Sequence, residues 1–502
     1  VKNEEYGVKN EFFFVTLQHK LIYDMKKTIV SILFLCAILW GASAQAKYVF
    51  YFIGDGMGQN QVLATEMYLA ELQGRIGTQP LCFTQFPVTG QCTTFSTSNG
   101  ITDSAAAGTA LASGEKTKNS TLGLLPDGGN VYTIAERLRD KGWGVGITTS
   151  VSIDHATPAA FYAHVEKRSE YYKIGTQLAE SGFDFFGGAT FYQPYPKDKD
   201  KWVKETGKEP ESLYEICRDS GYTFARGYEN YQNSKDGSDK MILIQPHEGL
   251  TDDYKGNGMI PYLIDRKADD LSLTQITEAA IDFLSTRHDR FFLMVEGGAI
   301  DWACHSNDAA TAIHDVIDFD NAIRLAFEFY LQHPSETLII VTADHETGGM
   351  ALGNSDYNLR LQLLQHQKLS VGELSGRLKQ LHSSQGKKLQ WQTVRQLFTD
   401  QLGFYTDVQI SPEEDKTMQK QFKQLQKGKA KQVKTLYKQF DGLSAYAVAL
   451  LNKKAKIGWT TGSHSAAAVG VWAVGAGAER FTGWQDDTQI APKIIMAAEG
   501  QK

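Results

Sequence analysis

The chain has 502 residues, 42% of them hydrophobic and 22% charged, the ordinary make-up of a soluble globular protein. Its formal net charge of -7 excludes the broad basic face that nucleic acid binding needs, so an anionic ligand would have to be met by local cations. None of its five cysteines has C-x-x-C spacing, which argues against a thiolate zinc site.

In chain order, Met25-Lys26-Lys27 is followed by an apolar run from Ile29 to Trp40 and by the small residues of Gly41 to Ala46. A positive, then apolar, then A-x-A order predicts a secretory signal peptide over 25–46, cleaved near Ala46, and a secreted or periplasmic protein. The run is short for a membrane span. Residues 1–24, ahead of Met25, read as a non-native upstream extension. Export would permit disulfides among Cys82, Cys92, Cys217 and Cys304; three pairings are open, with Cys82–Cys92 the most local.

Four strand-length apolar runs share one pattern. Tyr48 to Ile53 leads to Asp55, Trp143 to Thr148 toward Asp154-His155, Phe291 to Val295 to Glu296, and Thr337 to Thr342 to Asp344-His345. Strands apolar on both faces fit the interior of a parallel sheet. Helical patterns between them (Tyr132 to Lys141, Ile276 to Arg287, Ala309 to Gln332) predict an α/β fold, a doubly wound, mostly parallel central sheet flanked by helices. A single Asp after a strand is ordinarily a turn or cap residue. Acidic residues beyond several core strands instead suggest a ligand site at their carboxyl ends.

Tyr192 to Leu263 is polar and reads as a loop-rich addition, with Met241 to Ile244 a possible strand. Residues 354–455, rich in Lys, Gln and Leu at helical spacing, read as a helical insertion capping the site or a partner subunit; without interleaved aromatics they do not suggest a nucleic acid platform. The core is thus expected over 47–353 and again over 456–502, with Ala466 to Val474 a late strand and His464 at its entrance.

Thr102 to Gly114 predicts a helix over 104–113 with Gly114 as its cap, which puts Ser104 at a helix N-terminus that favours an anion. No G-x-S-x-G elbow surrounds Ser104, so its activator is expected to be metal. Ligands are at hand. Asp301 and His305, at i and i+4, share a helical face, and His464 completes a three-ligand set with an open position. Asp344-His345 offers a second set that Asp55 extends or bridges. Glu296 and the Thr157 hydroxyl are hard oxygens suited to magnesium. Cys304 would point away from the Asp301–His305 face and reads as packing.

These motifs occur in the order of one known family. Gly54-Asp55-Gly56-Met57-Gly58, Thr102 to Gly114, His155-Ala156-Thr157-Pro158, Val295 to Asp301 with His305, Thr342 to His345, and Thr461 to His464 together resemble the alkaline phosphatases, over about Lys47 to Ile495. The resemblance implies a phosphomonoesterase acting at alkaline pH, two zinc ions and one magnesium ion, small phosphomonoester substrates and a possible homodimer. It implies Ser104 as the nucleophile that becomes phosphoserine, and Asp301, His305 and His464 around a first zinc. Asp55, Asp344 and His345 fall around a second zinc, and Asp55, Thr157 and Glu296 around magnesium. Arg168, expected on a helix after Pro158, would grip the phosphate, with Asp103 orienting it.

One branch of the family has Asp at the place of His155 and Lys at the place of Trp302. Neither residue here can copy those roles, so magnesium and product are expected to be held more loosely. A phosphodiesterase of the same superfamily is the nearest alternative; Thr157, Glu296 and Arg168 speak for the monoesterase. A non-catalytic periplasmic phosphate or metal binder is the other, and it would have no need of Ser104.

Overall fold

The computed structural model describes residues 45–246, 258–354 and 356–501. The upstream extension and all of the leader except Gln45 and Ala46 lie outside them.

Ten strands form the central sheet: β1 (Tyr48–Ile53), β2 (Val88–Thr93), β3 (Gly144–Thr149), β4 (Phe185–Gly188), β5 (Tyr222–Arg226), β6 (Lys240–Ile244), β7 (Phe291–Glu296), β8 (Thr337–Thr342), β9 (Val469–Gly475) and β10 (Gly483–Asp486). Their order is β10-β2-β9-β8-β1-β7-β3-β4-β6-β5. Only β9 runs antiparallel to its neighbours. β1, β3, β7 and β8 are buried along nearly their whole length, which is why they read as unbroken apolar runs rather than alternating ones.

The region from Tyr192 to Leu263 is not an addition. It supplies β5 and β6, which extend one edge of the sheet beyond β4. Its polarity comes from the connecting helices Lys199–Thr206 and Tyr228–Ser234, whose residues are mostly in contact with water. The helix at 309–332 has the bounds its periodicity predicts.

Residues 354–455 carry four long helices (Val371–Gln385, Trp391–Leu402, Pro412–Gln426, Gly442–Ala455) and a hairpin pairing Gln432–Lys434 with Gln439–Asp441. Their apolar faces, including Leu374, Phe398, Phe422 and Val448, form a second core. That core continues onto Ala64 and Tyr68 of the helix Gln59–Leu72 and onto Ala309 and Ile313. Met350–Leu352 pairs antiparallel with Ile457–Trp459, so the chain enters and leaves this region at one place.

Cys82, Cys92, Cys217 and Cys304 are all buried and unpaired, so the local Cys82–Cys92 bridge does not form. No helix among the described residues is long and apolar enough to cross a membrane.

Candidate active site

The register of the sheet assembles the site. Ile53 lies beside both Glu296 and Thr342, and Thr149 beside Glu296, so these parallel strands end side by side. The residues that follow therefore converge beyond their carboxyl ends. Gly56 makes the first of these turns at φ +72°, and a Cβ there would stand 2.9 Å from Asp301 Cα. Its N–H donates to Asp344 Oδ1 at 3.2 Å, and the His345 N–H to the same oxygen at 2.9 Å. Asp344 is thus clamped with its other oxygen turned inward.

The helix at Ser104–Ser113 ends at Gly114 with φ 85°. Asp103 is its N-cap and accepts from the Ala106 N–H at 3.1 Å. Ser104 then sits in the first turn, buried, with Oγ 3.2 Å from His345 Nε2.

Three side-chain groups converge closely enough to hold a cation: Asp301 with His345 and His464, Asp55 with Asp344 and His345, and Asp55 with His155 and Glu296. His305 joins the first, with Nε2 3.3 Å from Asp301 Oδ2 and 3.2 Å from His464 Nε2. Thr157 donates to Asp55 Oδ2 at 3.4 Å. The sequence-derived set Asp55, Thr157, Glu296, Asp301, His305, Asp344, His345 and His464 is therefore gathered in one place, with Ser104 beside it.

Metal ions fit these groups for two physical reasons. First, Asp55 Oδ1, Glu296 Oε1, Asp301 Oδ2 and Asp344 Oδ2 are buried without a hydrogen-bond donor. Buried carboxylates this close need positive charge. Burial, then mutual repulsion, raises Asp55 and Asp344 well above the usual carboxylate range, and burial holds Glu296 near 7. Burial also opposes ionisation of Asp301, but His305, His464 and His345 outweigh it and pull its pKa down.

Second, the histidines are set as ligands. His305 Nδ1 meets the Gly462 carbonyl at 2.7 Å and His464 Nδ1 the Thr102 carbonyl at 2.8 Å. A carbonyl only accepts, so each Nδ1 carries a proton, and each Nε2 faces inward as the nitrogen that binds a cation when the ring is neutral. With both rings neutral, two lone pairs 3.2 Å apart repel unless a proton or a metal ion lies between them.

Arg168 and its partners differ in part from the sequence reading. The helix that begins at Ala156 stops at Ala159, and Arg168 lies in a turn, its N–H bonded to the Ser120 carbonyl. Its guanidinium contacts Asp103 Oδ2 at 3.3 Å, His155 Nε2 at 3.2 Å and the Tyr437 hydroxyl at 3.4 Å. Arg only donates, so His155 accepts through Nε2. Burial, then Arg168, lowers the His155 pKa to about 3, keeping the ring neutral.

Trp302 is covered face to face by Tyr437, ring centres 4.3 Å apart. Sequence reading missed Tyr437 and Thr149, whose hydroxyl donates to Glu296 Oε2. Thr149 had a signal, since it ends a core strand. Tyr437 had none, because its segment reads as a solvated, lysine-rich face. Cys304 does pack: Gln61 Nε2 approaches its Sγ at 3.8 Å.

The Alkaline phosphatase family model matches residues 46–500. Alkaline phosphatase 3 of Bacillus subtilis is 30% identical over 467 residues, covering 91% of this chain and 90% of that protein. The chain belongs to the alkaline phosphatase family. It is an enzyme, a phosphoric monoester hydrolase. The cold-active alkaline phosphatase of Shewanella sp. superimposes with a TM-score of 0.70 at 27% identity, covering 90% of this chain and 100% of that one. A variant of the alkaline phosphatase from the Antarctic bacterium TAB5, with a histidine replaced by glutamate and magnesium bound in its M3 site, aligns at 25% identity with a TM-score of 0.59, covering 91% and 99%.

Proposed function

We propose that this enzyme cleaves phosphomonoesters at alkaline pH through a phosphoserine on Ser104. The observation that carries the reading is the 3.2 Å approach of Ser104 Oγ to His345 Nε2, inside the buried carboxylate and histidine cluster. Asp301, His305 and His464 would hold one zinc ion, Asp55, Asp344 and His345 a second, and Asp55, Thr157 and Glu296 magnesium. Bound metal supplies the positive charge that lowers the serine pKa and offsets charge on the phosphoryl oxygens.

The chain's own residues do the rest. Ser104 Oγ forms a bond to phosphorus as the ester P–O bond breaks and the leaving oxygen departs opposite. Water then attacks the phosphoserine, releasing inorganic phosphate and restoring the hydroxyl. Arg168 presents a planar donor fork to phosphoryl oxygens, and its charge is held in place by Asp103. The first turn of the Ser104 helix points its N–H groups and dipole toward the same anion. The leader that begins at Met25 would direct the enzyme to the periplasm or outside, where small phosphomonoesters are met. A homodimer is the assembly we expect.

Release of p-nitrophenol from p-nitrophenyl phosphate and from bis-p-nitrophenyl phosphate, with and without chelator, tests this. Strong preference for the monoester, lost with chelator, supports it. Preference for the diester would assign the site a sister activity. No turnover by metal-loaded protein would leave a binder.

A further inference from the structure

The hairpin of the 354–455 insertion reaches the reacting centre through one residue. Gln432–Lys434 and Gln439–Asp441 pair antiparallel, and the turn between them is closed by the Thr435 N–H to the Lys438 carbonyl at 2.9 Å and the Lys438 N–H to Thr435 Oγ1 at 3.0 Å. Leu436 at this tip is 61% exposed, while its neighbour Tyr437 turns inward.

The Tyr437 ring is held at a fixed angle. It stacks on Trp302 with an interplanar angle of 10° and meets His305 edge-on at 5.5 Å and His155 at 5.8 Å. The Lys438 ammonium also lies 5.3 Å from the Trp302 ring centre, a second clasp between hairpin tip and site wall. With the ring fixed, the hydroxyl stands 3.4 Å from Arg168 Nη2, the nitrogen that also faces His155. Asp103 holds the other terminal nitrogen. The guanidinium is therefore fixed from three sides, and one of them belongs to the insertion.

We propose that Tyr437 is a positioning residue for phosphate binding: its hydroxyl fixes the plane of the Arg168 guanidinium, and its stack on Trp302 fixes the hydroxyl. This rests on the reading of Arg168 as the phosphate-gripping group. A bidentate donor fork binds well only in one plane, so a guanidinium free to rotate loses affinity for the anion. The loss falls equally on substrate, transition state and product phosphate, so it appears in KM and in inhibition by phosphate rather than in kcat.

The test is a cycle of Tyr437→Phe, Arg168→Ala and the double variant in the full metal-loaded enzyme. It reads the KM for p-nitrophenyl phosphate, the inhibition constant of inorganic phosphate, and phosphate binding by calorimetry. Tyr437→Phe keeps the stack and is expected to raise KM and the phosphate constant together, about three- to tenfold. In the Arg168→Ala background the same change is expected to do nothing further. Tyr437→Ala, which also removes the stack, is expected to cost more than Phe. An unchanged phosphate constant in Tyr437→Phe, or an equal shift with and without Arg168, would overturn the proposal. If the wild type itself turned over no monoester, the functional reading would fail first, and separately.

Discussion

His305 and His464 face each other at 3.2 Å, Nε2 to Nε2, each with its Nδ1 bonded to a backbone carbonyl. With both rings neutral and each Nδ1 proton on its carbonyl, neither Nε2 carries a donor for the other, and Asp301 lies against both. The arrangement suits a shared cation, a metal ion or a proton.

Metal removal is therefore expected to cost stability as well as activity. A ligand held at a thousand times its Kd stabilises by about 4 kcal/mol. Scanning calorimetry of chelated and zinc- and magnesium-supplemented protein should show a melting temperature several degrees lower in the chelated sample, restored on adding metal back. Equal melting temperatures would mean that the clustered carboxylates do not depend on a cation.

Asp103 serves the helix and Arg168 at once. It caps the Ser104 helix through the Ala106 N–H, accepts from the Ser120 N–H at 3.0 Å and contacts Arg168. Asp103→Ala is expected to lower stability by about 1–2 kcal/mol through the lost cap and to weaken phosphate inhibition. Asp103→Asn, which can still cap, should retain most of the stability and lose affinity for phosphate. Denaturant unfolding beside phosphate inhibition separates the two effects.

The His164–Glu136 pair sets a pH dependence of stability away from the site. Burial pulls the His164 pKa down, but the Glu136 carboxylate at 3.2 Å and the Gly123 carbonyl prevail and raise it above its ordinary 6.5. A raised pKa means the imidazolium is favoured in the folded state. Its contribution is complete below 6.5 and fades as pH rises through the folded value. His164→Gln should therefore lower the melting temperature more at pH about 6 than at pH about 9. A larger loss at the alkaline end would contradict the pairing.

Gln45 and Ala46 belong to the folded domain. The Ala46 N–H donates to the Ala497 carbonyl at 3.0 Å, Ala46 is fully buried, and Gln45 Nε2 donates to the Ala498 carbonyl at 2.8 Å. Cleavage after Ala46 would discard both contacts, whereas Ala42-Ser43-Ala44 also has the A-x-A form and spares them. N-terminal sequencing of exported enzyme is expected to begin at Gln45. A start at Lys47 would contradict this.

What the sequence makes legible follows the physics of each segment. Buried parallel strands such as Phe291–Glu296 announce themselves by apolar runs, and the residues after them carry the chemistry in short, ordered motifs. Val88–Thr93 and Gly483–Asp486 do not, because each is polar, contains glycine and lies toward one edge, with several residues partly open to water. Tyr222–Arg226 hides for a similar reason among exposed helices. Tyr437 is invisible for a different one. Its contacts with Arg168 and Trp302 span 269 and 135 positions of chain, and nothing local to a lysine-rich hairpin signals them.

Ser104 is expected to take the phosphoryl group. The direct measurement is peptide mass spectrometry of metal-loaded enzyme quenched in acid during turnover of p-nitrophenyl phosphate, with Ser104→Ala alongside. One phosphoryl group is expected on the peptide bearing Ser104 and none in the variant, with a fall in kcat of about a thousandfold or more. A variant that turns over at the wild-type rate, or a phosphoryl group trapped on another residue, would contradict it.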